Sequence, residues 1–103
     1  MRSIDLAVYA DALAAEGVAL ASRLERARSR LREAAIEREA RRSLPAEAVA
    51  CLESLGLLRT QGERKTRAEI AELARSLAAL EQLQAWVERE LAAAREEGYA
   101  MTE

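Results

Sequence analysis

The sequence predicts an all-α protein, in which two long helices form an antiparallel hairpin with a short connecting helix and assemble into a dimeric helical bundle. Half of the 103 residues are apolar, and Phe is absent. Ala and Leu dominate the apolar half, as suits close-packed helices. Four Gly and one Pro are too few to punctuate a many-stranded sheet. The length predicts one helical domain over residues 1–103.

The first helix is expected over about residues 4–42, with Ser3 as its N-cap. Apolar or small residues recur along it in steps of three and four, which is the spacing of a heptad seam. The seam consists of Leu6, Ala10, Leu13, Gly17, Leu20, Leu24, Ala27, Leu31 and Ala34. Gly17 is its weak position, costing ~1 kcal/mol relative to Ala. It therefore marks either a close crossing or a bend.

Pro45 predicts a break near residues 43–45, because proline lacks an amide donor and disfavours helical geometry at Leu44. A short helix should follow over about residues 46–56 and end at Gly56 in the left-handed conformation. Cys51, the sole cysteine, is expected to be buried in this helix. A lone thiol also excludes an intrachain disulfide and favours a reducing compartment.

The third helix is expected over about residues 67–97, after a loop from Arg59 to Lys65. Its start is predicted from the capping box of Thr66 and Glu69, and its end from Gly98. Its own heptad seam consists of Ile70, Leu73, Leu77, Leu80, Gln84, Val87, Leu91 and Ala94. In an antiparallel hairpin the two seams face each other.

A partner is predicted because the first helix carries more apolar surface than one hairpin can cover. A second stripe lies off its seam and consists of Ile4, Val8, Ala12, Ala15 and Ala19. Trp86 lies beside the third seam, either covering the short helix or anchoring an interface. Gln84 either sets register and oligomeric state or lies at a solvated end. The expected interface consists of Ile4, Val8, Leu13, Leu20, Leu24, Leu83, Trp86, Val87 and Leu91.

The charge pattern indicates a dipolar molecule, although the net charge is only −2. Residues 38–67 carry a net charge of +3, and residues 1–22 together with 81–103 carry −6. The arginines along the first helix predict a solvated face paired with glutamates. The alternative is a phosphate-binding stripe on this helix together with the basic pole. The stripe consists of Arg23, Arg26, Arg28, Arg30 and Arg32, and the anion-binding residues of the pole would be Arg38, Arg41, Arg42, Arg64, Lys65 and Arg67.

The sequence offers no catalytic or cofactor chemistry. His is absent, which removes the usual general base and the commonest zinc ligand. Phosphate-binding glycine loops and nucleophile elbows are also missing. We therefore expect no catalytic residues, no metal, no cofactor and no small-molecule substrate.

The expected function is that of a non-enzymatic protein–protein interaction module: a small helical adaptor, escort chaperone or assembly factor that acts through coiled-coil-like packing. Its partner is a second copy or a helical client protein. A nucleic-acid-associated protein is the alternative. The acidic N-terminal stretch does not match a signal peptide, and no apolar run suits a membrane span. We therefore expect a cytoplasmic protein. The preference for Arg over Lys and the high Ala content indicate a bacterial source.

Overall fold

The computed structural model describes residues 2–59 and 62–102, with side chains for residues 2–59 and 62–97. Within these residues the chain forms three helices and no strand. α1 spans Ser3–Ser43, α2 spans Ala46–Ser54 and α3 spans Glu63–Thr102. The predicted all-α class is therefore confirmed.

α1 begins one residue earlier than predicted. The Leu6 amide donates a hydrogen bond of 3.1 Å to the Arg2 carbonyl, so Ser3 lies inside the first turn and is not the N-cap. The helix then continues through Gly17 to Ser43, a length of 41 residues. Arg41 and Arg42 lie in its last turn, where positive side chains stabilise the negative end of the helix dipole.

The short helix α2 follows Pro45, as the sequence predicts, and it ends in a Schellman motif. The Leu57 amide donates to the Leu52 carbonyl at 2.9 Å, and the Gly56 amide donates to the Glu53 carbonyl at 3.0 Å. Gly56 has a φ of +74°, which confirms its left-handed conformation. Cys51 is exposed, so the prediction that this thiol is buried is wrong.

α3 is longer at both ends than the predicted 67–97. The Thr66 amide donates a hydrogen bond of 2.9 Å to the Gly62 carbonyl, so Thr66 lies within the helix and the predicted capping box does not start it. Gly98 does not stop the helix either, because the backbone remains helical through Thr102. In the predicted loop from Arg59 to Lys65, residues 60 and 61 lie outside the described residues.

The chain divides into two compact units by its contacts. The first unit contains residues 1–23 and 73–103, and the second contains residues 24–72. In the first unit, Leu6, Leu13 and Val87 form a buried core. Partly buried side chains pack against it, namely Ala10, Leu80, Leu83 and Leu91. The core of this unit is thus a layer of aliphatic side chains where α1 meets α3.

The second unit is held by a smaller apolar layer and by ion pairs at its surface. Its buried hydrophobic residues are Leu24, Ala27, Ala34 and Leu58. Arg30 contacts Glu69 at 3.0 Å and Arg38 contacts Glu63 at 2.7 Å. Such exposed pairs stabilise a fold by only about 0.2–1 kcal/mol each, so the apolar layer carries most of the packing energy.

The heptad seams predicted for α1 and α3 are confirmed position by position. Every seam residue of both helices is buried or half-buried in the structure. A spacing of three and four residues keeps side chains on one face of a helix.

None of the described helices contains a stretch with the length and hydropathy of a membrane span.

Replacing Gly56 with Ala should destabilise the protein by ~1 kcal/mol, because a Cβ is disfavoured at positive φ. The Cβ itself would meet nothing within 4 Å, so the loss would report backbone strain alone. Urea unfolding monitored by circular dichroism measures it. Gly56→Asn is the control, since Asn tolerates this conformation better. An unchanged free energy of unfolding in Gly56→Ala would contradict the assignment.

Candidate interaction surface

The second apolar stripe of α1 lies on the side of the helix that faces away from the seam. At 100° per residue, the mean direction of the stripe is roughly 160° from that of Leu6, Leu13 and their seam neighbours. Ile4 is 74% exposed and Val8 is 67% exposed. The alanines that continue the stripe, at positions 12, 15 and 19, are also exposed. No part of the described chain covers these side chains.

The predicted interface residues separate into two groups in the structure. Leu13, Leu24 and Val87 are buried within the chain itself. Leu20, Leu83 and Leu91 are half-buried, and the last two pack on the core of the first unit. These six therefore stabilise the fold and offer little surface to a partner. The accessible members are Ile4, Val8 and Trp86, the last of which is 39% exposed.

Gln84 makes a specific contact across the seam of the first unit. Its side-chain Nε2 donates a hydrogen bond of 3.3 Å to the carbonyl of Leu13. A Cβ placed on Gly17 would lie 3.4 Å from the same nitrogen, so Gly17 leaves room for the amide beside the α1 backbone. Gly17 therefore marks a close approach of two helices. One polar hydrogen bond in an apolar seam favours a single register of the pair.

Four of the predicted anion-binding residues line two cavities of the second unit. Arg38, Arg41 and Arg42 line a cavity of ≈ 320 Å³, together with Arg59 and two glutamates. Lys65 lines a second cavity beside Arg30 and Thr66. The two cavities share Arg59 as a lining residue.

Several of these arginines already form ion pairs with glutamates. Arg38 contacts Glu63 at 2.7 Å, and Arg67 contacts the same carboxylate at 4.0 Å. Arg41 contacts Glu53 at 3.4 Å. Such pairing lowers the positive potential that would attract a polyanion. Among the predicted set, Arg42, Arg64 and Lys65 form no ion pair with another described residue.

Sequence reasoning missed several exposed aliphatic residues of the second unit. They are Ile36, Leu44, Leu55 and Leu57, of which Ile36 and Leu57 line one groove. Ile36 is off the α1 seam, and a search for off-seam aliphatics of the kind that found Ile4 and Val8 could have found it. After α2, Leu57 is 63% exposed whereas Leu58 is buried. Its position depends on the turn after α2, which periodicity does not describe.

The described residues contain no group of three or more His, Cys, Asp and Glu side chains that could hold a metal ion. The chain matches no protein-family model, no curated protein and no solved structure. The surface chemistry of the chain itself is therefore the basis for a functional proposal.

Substituting a buried valine and an exposed valine should have different effects on the free energy of unfolding. Val87 is 1% exposed and Val18 is 69% exposed. Val87→Ala should lower the free energy of unfolding by about 2 kcal/mol, because it leaves a cavity in the seam. Val18→Ala, the matched control, should change it by no more than ~0.5 kcal/mol. Urea unfolding of both variants gives the comparison, and equal losses would contradict the one-sided packing of α1.

Proposed function

We propose that this protein is a non-enzymatic interaction module that binds an amphipathic helix of a partner along the second apolar stripe of α1. The partner is a second copy of the chain or a helical client, as for an adaptor, escort chaperone or assembly factor. The observation that carries the proposal is the exposure of Ile4 and Val8 on a helix face that no described residue covers. Exposed aliphatic stripes at helical spacing are typical docking surfaces for helices.

The scaffold in this proposal is an antiparallel hairpin of α1 and α3. Contacts within each unit support it. In the first unit, Leu13 and Gly17 of α1 lie beside Gln84 of α3. In the second unit, Arg30 pairs with Glu69, and Arg38, further along α1, pairs with Glu63, earlier in α3. Residue numbers that rise along one helix while they fall along the other are the signature of antiparallel neighbours.

The size of the core is a further argument for a partner. The buried hydrophobic residues number eight in the described chain, and two of them are alanines. Small domains with a core of this size commonly gain stability from oligomerisation or from a bound partner. Burying Ile4 and Val8 would contribute about 1.5–3 kcal/mol for each side chain. A helix laid along the stripe is therefore a sizeable source of stability.

Several features favour binding over catalysis in this proposal. The chain has no His, so its one Cys, which lies exposed on α2, lacks the imidazole that commonly activates a thiol. We propose accordingly that the protein needs no cofactor and acts on no small-molecule substrate. We place it in the cytoplasm, where a lone thiol would remain reduced.

The ion pairs favour protein binding over nucleic-acid binding. Arg30, Arg32, Arg38 and Arg41 each contact a glutamate within the second unit. A surface that neutralises its own arginines releases few counterions from a phosphate backbone. The described aromatic side chains, Tyr9 and Trp86, both belong to the first unit, so neither offers a stacking platform within the Arg-rich unit.

A photo-crosslinking residue at position 8 tests the proposal in the cells that naturally produce the protein. It should yield discrete crosslinked species, whether with another copy or with a client. The same residue at position 28, which is an exposed arginine of α1 outside the stripe, is the control and should yield none. Adding Ile4→Asp should abolish the products from position 8, because it places a carboxylate on the docking face. Products that survive Ile4→Asp, or that appear equally at position 28, would overturn the proposal.

A further inference from the structure

The second apolar stripe of α1 continues at the same spacing to Ser22, which is also exposed. From Ile4 to Ser22 the stripe is about 27 Å long at 1.5 Å per residue. All of it belongs to one helix of the first unit. In that unit Val87 of α3 packs with Leu6 and Leu13 on the seam side of α1. A second helix can therefore approach the stripe from the opposite side.

Side-chain size falls along the stripe. Ile4 and Val8 are branched, whereas every later position of the stripe is Ala or Ser. Two stripes in parallel would bring the branched side chains together at one end and leave a gap between the small ones at the other. In an antiparallel pair the branched end of each stripe lies against the small end of its partner. The two helices can then pack at a constant separation.

An antiparallel pair of stripes has a register in which the contacts obey twofold symmetry. When Val8 lies opposite Ala19 of a second copy, Ala12 lies opposite Ala15 of that copy, because both pairs of residue numbers have the same sum. The twofold axis then passes between positions 13 and 14. The alanines at the centre of such a contact allow the two backbones to approach closely. The stripe is therefore complementary in shape to a reversed copy of itself.

Charges along one edge of the stripe favour the same arrangement. Asp5, Glu16 and Arg23 lie on this edge, roughly 70–90° from the mean direction of the stripe at 100° per residue. All three are exposed, and none forms an ion pair with another described residue.

In an antiparallel twofold pair, each edge meets the same edge of the other copy. The register above brings Arg23 within one residue of the level of Asp5 of the second copy, and it places Glu16 opposite the uncharged Ala12. Parallel stripes would instead put each of the acidic residues Asp5 and Glu16 at the level of its own copy. Charge complementarity thus selects the antiparallel orientation.

We propose that the second apolar stripe of α1 packs antiparallel against the same stripe of a second copy, with Asp5 of each copy beside Arg23 of the other. This inference rests on the proposed function and names the partner and its orientation. The interface is isologous, so each favourable contact occurs twice in the dimer. It uses one face of one helix and leaves the seam with α3 unchanged.

Reversing the charges tests the pairing of Asp5 with Arg23. By light scattering and native mass spectrometry, the wild-type protein should have twice the 11.3 kDa mass of the chain at micromolar concentration. Asp5→Arg should raise the dimer dissociation constant at least ~fivefold, because each dimer then holds two Arg–Arg contacts. Adding Arg23→Asp to that variant should restore the wild-type constant. Asp11→Arg is the matched control, since it makes the same charge change at the other edge of the stripe, and it should leave the constant unchanged.

Disulfide formation tests the orientation of the two helices. Cys51 is exposed, so the experiment uses a Cys51→Ser background. Chains with Val8→Cys and chains with Ala19→Cys, mixed before oxidation, should form a disulfide between positions 8 and 19. Each variant alone should form none, because equivalent positions lie roughly 16 Å apart along the axis of the pair. The two chains differ in mass, so mass spectrometry distinguishes the mixed dimer from either homodimer.

Four results would overturn the inference. They are a monomeric wild type, a double variant that dimerises as weakly as Asp5→Arg, an Asp11→Arg variant weakened as much as Asp5→Arg, and disulfides that form within single variants but not in the mixture. A monomeric wild type whose position 8 still crosslinks to a client would refute the second copy as partner and leave the proposed function intact. Loss of both the dimer and the crosslinks would refute both.

Discussion

The packing of α1 against α3 along one face of each helix is the constraint on which the rest of the structure depends. In the first unit this contact consists of Leu6, Leu13 and Val87, together with the partly buried side chains that pack against them. A helix that is packed on one side only leaves its opposite side to solvent. On most surface helices that opposite side is polar, but the start of α1 carries Ile4 and Val8 there.

This one-sided packing also explains why the polar contacts matter for specificity more than for stability. The hydrogen bond from Gln84 to the Leu13 carbonyl is the kind of contact that a shifted register would break. The exposed pairs Arg30–Glu69 and Arg38–Glu63 add little energy in water. A shift of one helix along the other would break both pairs, so they favour the same register.

The sequence was sufficient to predict the features that follow from helical periodicity. Both seams, the break at Pro45 and the left-handed Gly56 were predicted, because each depends on the residues in one local stretch. The ends of α3 were not predicted correctly. Thr66 and Glu69 have the spacing of a capping box, yet the amide of Thr66 bonds to Gly62, and one glycine at position 98 does not outweigh continued helical hydrogen bonds.

The candidate surface was predicted in part, and the missing part has a physical reason. Ile4 and Val8 could be recognised because they repeat at helical spacing off the seam. The groove lined by Ile36 and Leu57 could not be predicted, because these residues are far apart in sequence and meet through the chain reversal after α2. The burial of Cys51 was predicted wrongly since α2 contributes no buried residue. A short helix with apolar residues does not necessarily bury them.

In the proposed function, the thin apolar seam gains stability when a partner covers the outer face of α1. The concentration dependence of unfolding measures this most directly, because association stabilises the folded state by mass action. The urea midpoint of the wild-type protein should rise as the protein concentration is raised about a hundredfold. A midpoint that stays constant over that range, with a single cooperative transition, would show that a second copy does not stabilise the seam and would contradict self-association through the outer face of α1.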